Sequence, residues 1–272
     1  MMRIATLRFG TALTLTCTSS LAAQEDFRAA DADRPIRVED AYPLKLYEWE
    51  WQFGSRSAIA DGGRYELAQL FELKTGIARN VQLGIELHGS QQRADGAWST
   101  GLEEFSAHLF YNLNQESRST PAFAVRVDAF GPGIGDVGRE DIGVRLRGIL
   151  TRSLGRLRLH ANGGYDWATV ADGGDFWHGG LAFDYPIGLF SKALLGDVYA
   201  EFPAGSGDAR IWAELGTRFQ LTNSTVLDFG ITSRVDEWTD GAPNIGLVIG
   251  LSRVFGIAGL TPVPAYPNPR ID

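Results

Sequence analysis

The side chains that could do chemistry in this 272-residue chain are few and scattered, except for one group of charges. The four histidines, His88, His108, His160 and His178, fall in four separate segments, with no pair at ligand spacing in any one segment. A metal centre needs its imidazoles, thiolates and carboxylates converging, so these read as wall residues; no metal and no cofactor is expected. His88-Gly89-Ser90 puts a hydroxyl two residues from an imidazole. A nucleophile, however, needs its base within hydrogen-bond reach and a third group to orient that base. Gly131-Pro132-Gly133-Ile134-Gly135 invites a phosphate-loop reading, but no helix pattern follows it. Cys17 is the only cysteine. What remains is a set of carboxylates, Glu48, Glu50, Glu66, Glu72, Glu86 and Glu104, followed along the chain by Arg126, Arg145, Arg147 and Arg158.

The N-terminus fixes the compartment. Arg3 and Arg8 form a short basic region, a brief apolar stretch around Thr11 to Leu15 follows, and Ser20-Leu21-Ala22-Ala23 offers small residues at cleavage positions. This is the pattern of a secretory leader over residues 1–23. Cys17 falls inside it, so the exported chain carries no disulfide or thiolate site. Losing Arg3 and Arg8 with the leader takes the net charge from −8 to −10, which disfavours a nucleic-acid partner. No apolar run is long enough for a membrane helix, so strands must carry any membrane role.

Residues 24–43 are acidic, contain proline and lack clear periodicity; they read as a flexible periplasmic arm. From Leu44 the pattern has period two. Tyr47, Trp49, Trp51 and Phe53 interleave with Glu48, Glu50 and Gln52, and Val81, Leu83, Ile85 and Leu87 with Gln82, Gly84, Glu86 and His88. Later segments repeat this to Ile245, Leu247, Ile249 and Leu251. Successive strand side chains point to opposite faces, so each segment separates an apolar from a polar surface. The pattern predicts twelve strands, at about 44–53, 65–75, 81–89, 101–113, 122–130, 141–151, 157–167, 177–186, 193–202, 210–221, 225–235 and 244–255. Longer links (54–64, 90–100, 131–140) alternate with short turns such as 76–80 and 222–224.

The apolar face must then point outward. Eight strands already enclose a lumen filled by side chains; twelve lined with Trp, Phe and Leu would leave a void that proteins do not tolerate. A two-sheet sandwich is the soluble alternative. Placing apolar residues against lipid and charges in the lumen gives an all-β, antiparallel up-and-down transmembrane barrel over residues 44–256, in which every backbone group is paired. Aromatics such as Phe53, Tyr65, Tyr111, Trp167, Tyr185 and Phe202 fit interfacial girdles. The 33 glycines are well above the usual ~7%, and many, including Gly84, Gly180, Gly216 and Gly250, fall on the lumen face. Residues 257–272 form a Pro-rich tail.

Three stretches carry a family resemblance: Thr75 to Ile85; Thr151 to His160 with Gly163-Gly164-Tyr165; and Glu214 to Phe255. They resemble the phenol meta-pathway transporter family of bacterial outer-membrane proteins. The resemblance implies an outer-membrane location and passage of small, often aromatic, compounds, and it supplies no catalytic residues. In such barrels a terminal aromatic serves the assembly machinery; here Phe255 takes that place, ahead of the tail. His88-Gly89-Ser90 also resembles the His-x-Ser stretch of outer-membrane phospholipase A, which implies a barrel-embedded lipid hydrolase, but Gln91-Gln92 follow instead of Asn-Gly.

The expected function is therefore passive passage of a small solute across the outer membrane. Its partners are outer-membrane lipid, the barrel assembly machinery and the solute itself. In a ring of twelve, the acidic strands one to four face the basic strands five to seven, and opposed walls set up a transverse field across a pore. The alternative is a closed structural or surface-interaction barrel, in which the same charges pair locally.

Overall fold

The computed structural model describes residues 28–60, 64–94, 96–169, 175–188, 191–205, 207–236 and 244–257. The leader, the first residues of the arm and the tail beyond Ile257 lie outside the described residues.

The strands in chain order are β1 (Trp49–Ala60), β2 (Arg64–Ala78), β3 (Val81–Ala94), β4 (Ala97–Asn114), β5 (Ala122–Gly131), β6 (Ile134–Gly135), β7 (Gly143–Leu154), β8 (Leu157–Ala168), β9 (Phe176–Pro186), β10 (Lys192–Pro203), β11 (Arg210–Thr222), β12 (Thr225–Arg234) and β13 (Asn244–Phe255). Twelve of them form one antiparallel meander, closed by β13 pairing back on β1 from Trp49↔Phe255 to Ile59↔Ile245. The thirteenth, β6, is a two-residue strand in the β5–β7 link that pairs with β4. The expected twelve-stranded barrel is the fold, and closure of a single sheet removes the sandwich alternative.

The period-two pattern divides the faces as it should. Leu83, Val144, Phe229 and Leu247 are 45%, 42%, 43% and 60% exposed on the outer wall, whereas Glu72, Glu86, Arg126 and Arg158 are buried inside. An outer belt of large apolar side chains on a barrel that leaves no open edge is a lipid-facing surface, and the protein is a bacterial outer-membrane barrel. Tyr111, Trp167, Tyr185 and Phe202 stand exposed toward the ends of their strands. Phe53 does not reach a rim; it sits mid-strand between Phe71 and Leu251.

Several boundaries depart from the sequence reading. The first strand starts at Trp49, not at residue 44, because Lys45–Glu48 makes a turn. There Glu48 N donates to Lys45 O (3.0 Å), and Tyr47 has a positive φ of 65°. This turn presses on Gly76, where a Cβ would lie 2.1 Å from Lys45 O, so only glycine fits. The links 54–64 and 90–100 are mostly paired strand. Polar Gln91, Gln92 and Arg93 keep their ladder with Trp98 to Thr100, so these hairpins extend as sheet toward the loop end.

The largest correction concerns the arm. From Arg28 to Pro43 it is not a free periplasmic segment; it lies inside the barrel. Ala30, Arg34, Ile36, Val38 and Ala41 are at most 1% exposed. Both apolar clusters among the described residues form around it. One joins Ala30, Ile36 and Val38 to Ala182, Ala193, Leu195 and Tyr199, and the other joins Ala41 to Phe110, Ala122, Ala124 and Ile149. The physical reason is the void that the sequence argument itself raised: twelve strands enclose more space than their inward side chains fill, and the arm fills it.

Candidate functional site: the occupied lumen

Inside a barrel the arm does not join the sheet, so its backbone is satisfied by itself, as where Asp40 N donates to Ala30 O (2.9 Å), and by side chains. Strand residues supply acceptors: Arg37 N donates to Asp197 Oδ2 (2.7 Å), Ala41 N to Thr151 Oγ1 (2.9 Å) and Leu44 N to Gln82 Oε1 (3.0 Å). Asn162 closes a reciprocal pair with Glu39, accepting from its N–H and donating to its carbonyl, both at 2.8 Å. Glycines make room for the chain. A Cβ at Gly250 would lie 3.0 Å from Arg34 Cγ, one at Gly216 2.6 Å from Pro35 Cγ, and one at Gly180 2.6 Å from Val38 Cγ2.

The arm's charges tie it to the wall in two knots. In the first, Arg34, with no exposed surface, donates to Asp31 (2.7 Å), Gln52 (2.9 Å) and Asp228 (3.3 Å), with Glu50 at 3.4 Å. Arg218 Nε donates to Asp228 (2.6 Å), and Lys74 Nζ reaches Asp31 (2.7 Å), Glu50 (3.5 Å) and Glu72 (3.6 Å). In the second, Glu39 accepts from Arg126 and Arg147, each at 3.3 Å. Arg126 also contacts Glu86 and Asp128, and His88 and His108 flank Glu86 at 3.2 and 3.4 Å. Buried charges persist only when paired in this way, because leaving one alone is costly.

The ten charges singled out from the sequence divide accordingly. Glu50, Glu72, Glu86 and Arg126 sit in the two knots, and Arg147 holds the arm through Glu39. Glu104 meets Arg139 (3.3 Å) and Arg145 (3.7 Å), and Arg145 donates to Asp166 (2.7 Å). Arg158 donates to Asp184 (2.6 Å) and to the carbonyl of Arg28. Glu48 lies in the turn before β1 with Lys45, and Glu66 is exposed near the long-hairpin rim. The expected opposition of an acidic and a basic wall is not how the middle of the lumen is built: Glu86 and Arg126 touch. Sequence reading missed Asp31, Arg34 and Glu39 on the arm, and Asp184, Asp197, Glu214, Arg218 and Asp228 on the later strands. Ile36 and Val38 alternating with Arg37 and Glu39, together with the lumen glycines, were the available signal.

Three spaces with shared lining residues lie along the arm. At the long-hairpin end is a vestibule of about 550 Å³, lined by Arg56, Glu103, Arg145, Tyr199 and Trp212 among others, with Asp33 and Arg37 of the arm at its base. A pocket of about 30 Å³ continues it between Asp31, Glu39, Glu72, Glu86 and Arg126, and one of about 100 Å³ follows at the short-turn end beside Tyr42, Glu48 and Lys74. Arg139, over the vestibule, holds the Asp141 carboxyl below its ordinary pKa through paired hydrogen bonds at 2.8 Å.

Two other constellations are resolved by their partners. Glu72, Glu86 and His108 could each offer one atom to a metal ion, all within 4.8 Å of one another, but Lys74 and Arg126 already neutralise the two carboxylates. His88 Nε2 is turned to Glu86, while Ser90, buried on the lumen side, accepts from Gln92 Nε2 at 3.5 Å.

No protein-family model matches the chain, and no curated protein matches it. Solved structures do. The COG4313 outer membrane channel from Pseudomonas putida F1 superposes with a TM-score of 0.58 at 14% identity, over 79% of this chain and 98% of that one. The NanC porin gives 0.53 at 11% identity over 75% and 98%, and the KdgM porin 0.50 at 10% over 75% and 99%. At such identities the likeness is one of fold, and this chain has the fold of the small outer-membrane channel and porin barrels, with a lumen filled by its own N-terminal arm.

Proposed function

We propose that the protein is a passive outer-membrane channel through which a small polar solute passes along the charged side of the arm. The observation that carries this reading is the series of three spaces beside the arm, whose linings share Asp33, His88, Arg145 and Arg147 at one step and Asp31, Glu39 and Lys74 at the next. The fold likeness to an outer-membrane channel and two porins supports it. The resemblance to the phenol meta-pathway transporters supports solutes that include aromatic compounds. A second reading, a closed structural barrel, is favoured by the middle space: 30 Å³ is about one water's share of liquid volume. The lipid-hydrolase alternative lacks its nucleophile–base contact among the described residues: Ser90 Oγ pairs with Gln92 and makes no hydrogen bond to His88.

Passage of anything larger than water requires the Glu39–Arg147 and Glu39–Arg126 contacts to loosen, which is a change of side chains rather than of fold. Single-channel recording in planar bilayers tests this. Small, discrete conductance steps that grow when Glu39→Gln removes the arm's carboxylate are expected. A wild-type protein that inserts and stays silent sinks the channel reading and leaves the closed barrel.

A further inference from the structure

The vestibule contains a cation, Arg37, whose ion-pair carboxylate among the described residues is already gripped by a second arginine. Most of its arginines have a dedicated carboxylate: Arg139 has Asp141, Arg145 has Asp166, and Arg210 has Glu201. Arg37 does not. Its nearest carboxylate, Glu214, is 3.4 Å from Nε, but Arg56 takes both oxygens of that group, Oε1 at 3.1 Å and Oε2 at 3.3 Å. Arg37 Nε is left buried without a hydrogen-bond partner, and its side chain donates none among the described residues. The guanidinium is held flat by rings instead, 4.5 Å from the centroid of Trp212 and 5.9 Å from that of Tyr199. Trp212 and Tyr199 stand 6.2 Å apart on β11 and β10, and Phe176 lies on the same side of the cavity.

A rigid, ring-supported guanidinium with unused donors at the base of a 550 Å³ cavity matches a planar two-oxygen anion, because its fork can donate two parallel bonds. The rings around it favour a flat apolar body beside that anion. We propose that Arg37, Tyr199 and Trp212 form a binding site for small aromatic carboxylates, the carboxylate on Arg37 and the ring against Tyr199 and Trp212. This deepens the channel reading, on which it rests for its role: the site gathers the solute at the mouth before it enters the narrow part. Because Arg37 belongs to the arm, the segment that fills the lumen also carries the recognition group.

The test uses the full chain folded in detergent micelles, with 4-fluorobenzoate as probe and its fluorine NMR line as readout. Saturable binding is expected, weaker by about tenfold or more for 4-fluorobenzyl alcohol, which lacks the charge, and for trifluoroacetate, which lacks the ring. Arg37→Gln should lower 4-fluorobenzoate affinity by about tenfold or more, Arg37→Lys by less, since it keeps charge without the fork. Trp212→Leu, on the wall rather than on the arm, should abolish the preference over trifluoroacetate. Heat-modifiable gel mobility verifies that each variant is folded. Equal binding by wild type and Arg37→Gln, or no saturable binding by folded wild type, overturns the inference. Binding without conductance in bilayers upholds the site and removes the channel reading; conductance without binding does the reverse.

Discussion

The two sides of the arm are held by different physics. Against β9–β11, Ile36 and Val38 pack on Ala182, Ala193 and Leu195, an apolar contact of buried side chains. Against β2–β7, the arm meets the wall through Asp31, Glu39 and their Lys and Arg partners, with the file of small spaces among them. Apolar packing is short-ranged and loses its value when a gap opens, so the first side acts as a fixed hinge line. Ion pairs lengthen gradually, exchange partners and admit water, and they respond to salt. Under the proposed channel reading, a plug packed on one side and electrostatically latched on the other leaves the latched side able to yield.

Removing residues 28–43 breaks both sides at once and should have the largest effect. Conductance should rise severalfold, and the barrel should lose stability because Arg126, Arg147 and Arg218 each lose an arm carboxylate within 4.0 Å. Bilayer recordings beside urea unfolding would show it; unchanged conductance would mean that the arm does not obstruct the path. Next is Arg34→Ala, which removes a buried cation from Asp31, Asp228 and Glu50, leaving Lys74 and Arg218 to hold them, and should destabilise the fold by about 3–5 kcal/mol. The check is the urea midpoint of the heat-modifiable band, and a shift within error would dissolve the first knot as a structural element.

On the apolar side, Ile36→Ala should cost about 2–3 kcal/mol through the cavity it leaves, with ion selectivity unchanged. If that variant changes selectivity, the solute path runs along β9–β11 instead. Smallest in stability but most specific is Arg147→Glu on the latched side. Two carboxylates would then face each other at the Glu39 contact, and reversal potentials under a salt gradient should move toward cation preference. The shift should fade in concentrated salt, as the Debye length falls from about 10 Å at 0.1 M to about 3 Å at 1 M. Without any shift, the path bypasses Glu39.

The wall was readable because a strand's alternation is local. Leu83, Ile85 and Leu87 against Gln82, Glu86 and His88 specify two faces without reference to any other segment, and lipid on one side makes the contrast strong. Strand limits were less readable wherever pairing persists beyond the apolar belt, as at Gln91 to Arg93, since polar residues signal loop and exposed strand alike. The list of lumen charges was readable too, but their partners were not. Glu86 and Arg126 lie 40 residues apart, on β3 and β5, and meet through the volume of the lumen rather than along a ladder.

The sequence by itself thus determined a closed barrel, its lipid-facing side and an inward set of charges, because each follows from spacing over a few residues. The place of the arm was decided only in three dimensions. Arg34, Pro35, Ile36 and Val38 carry too short a pattern to name a partner, and residues 28–43 look like a linker until the lumen exists around them. Closing twelve strands creates a space that must be filled, lined with glycines at Gly180, Gly216 and Gly250 and with carboxylates that need cations. The arm is the segment whose side chains complement that space, and complementarity of volume and charge is a property of the assembled barrel, not of any stretch of chain.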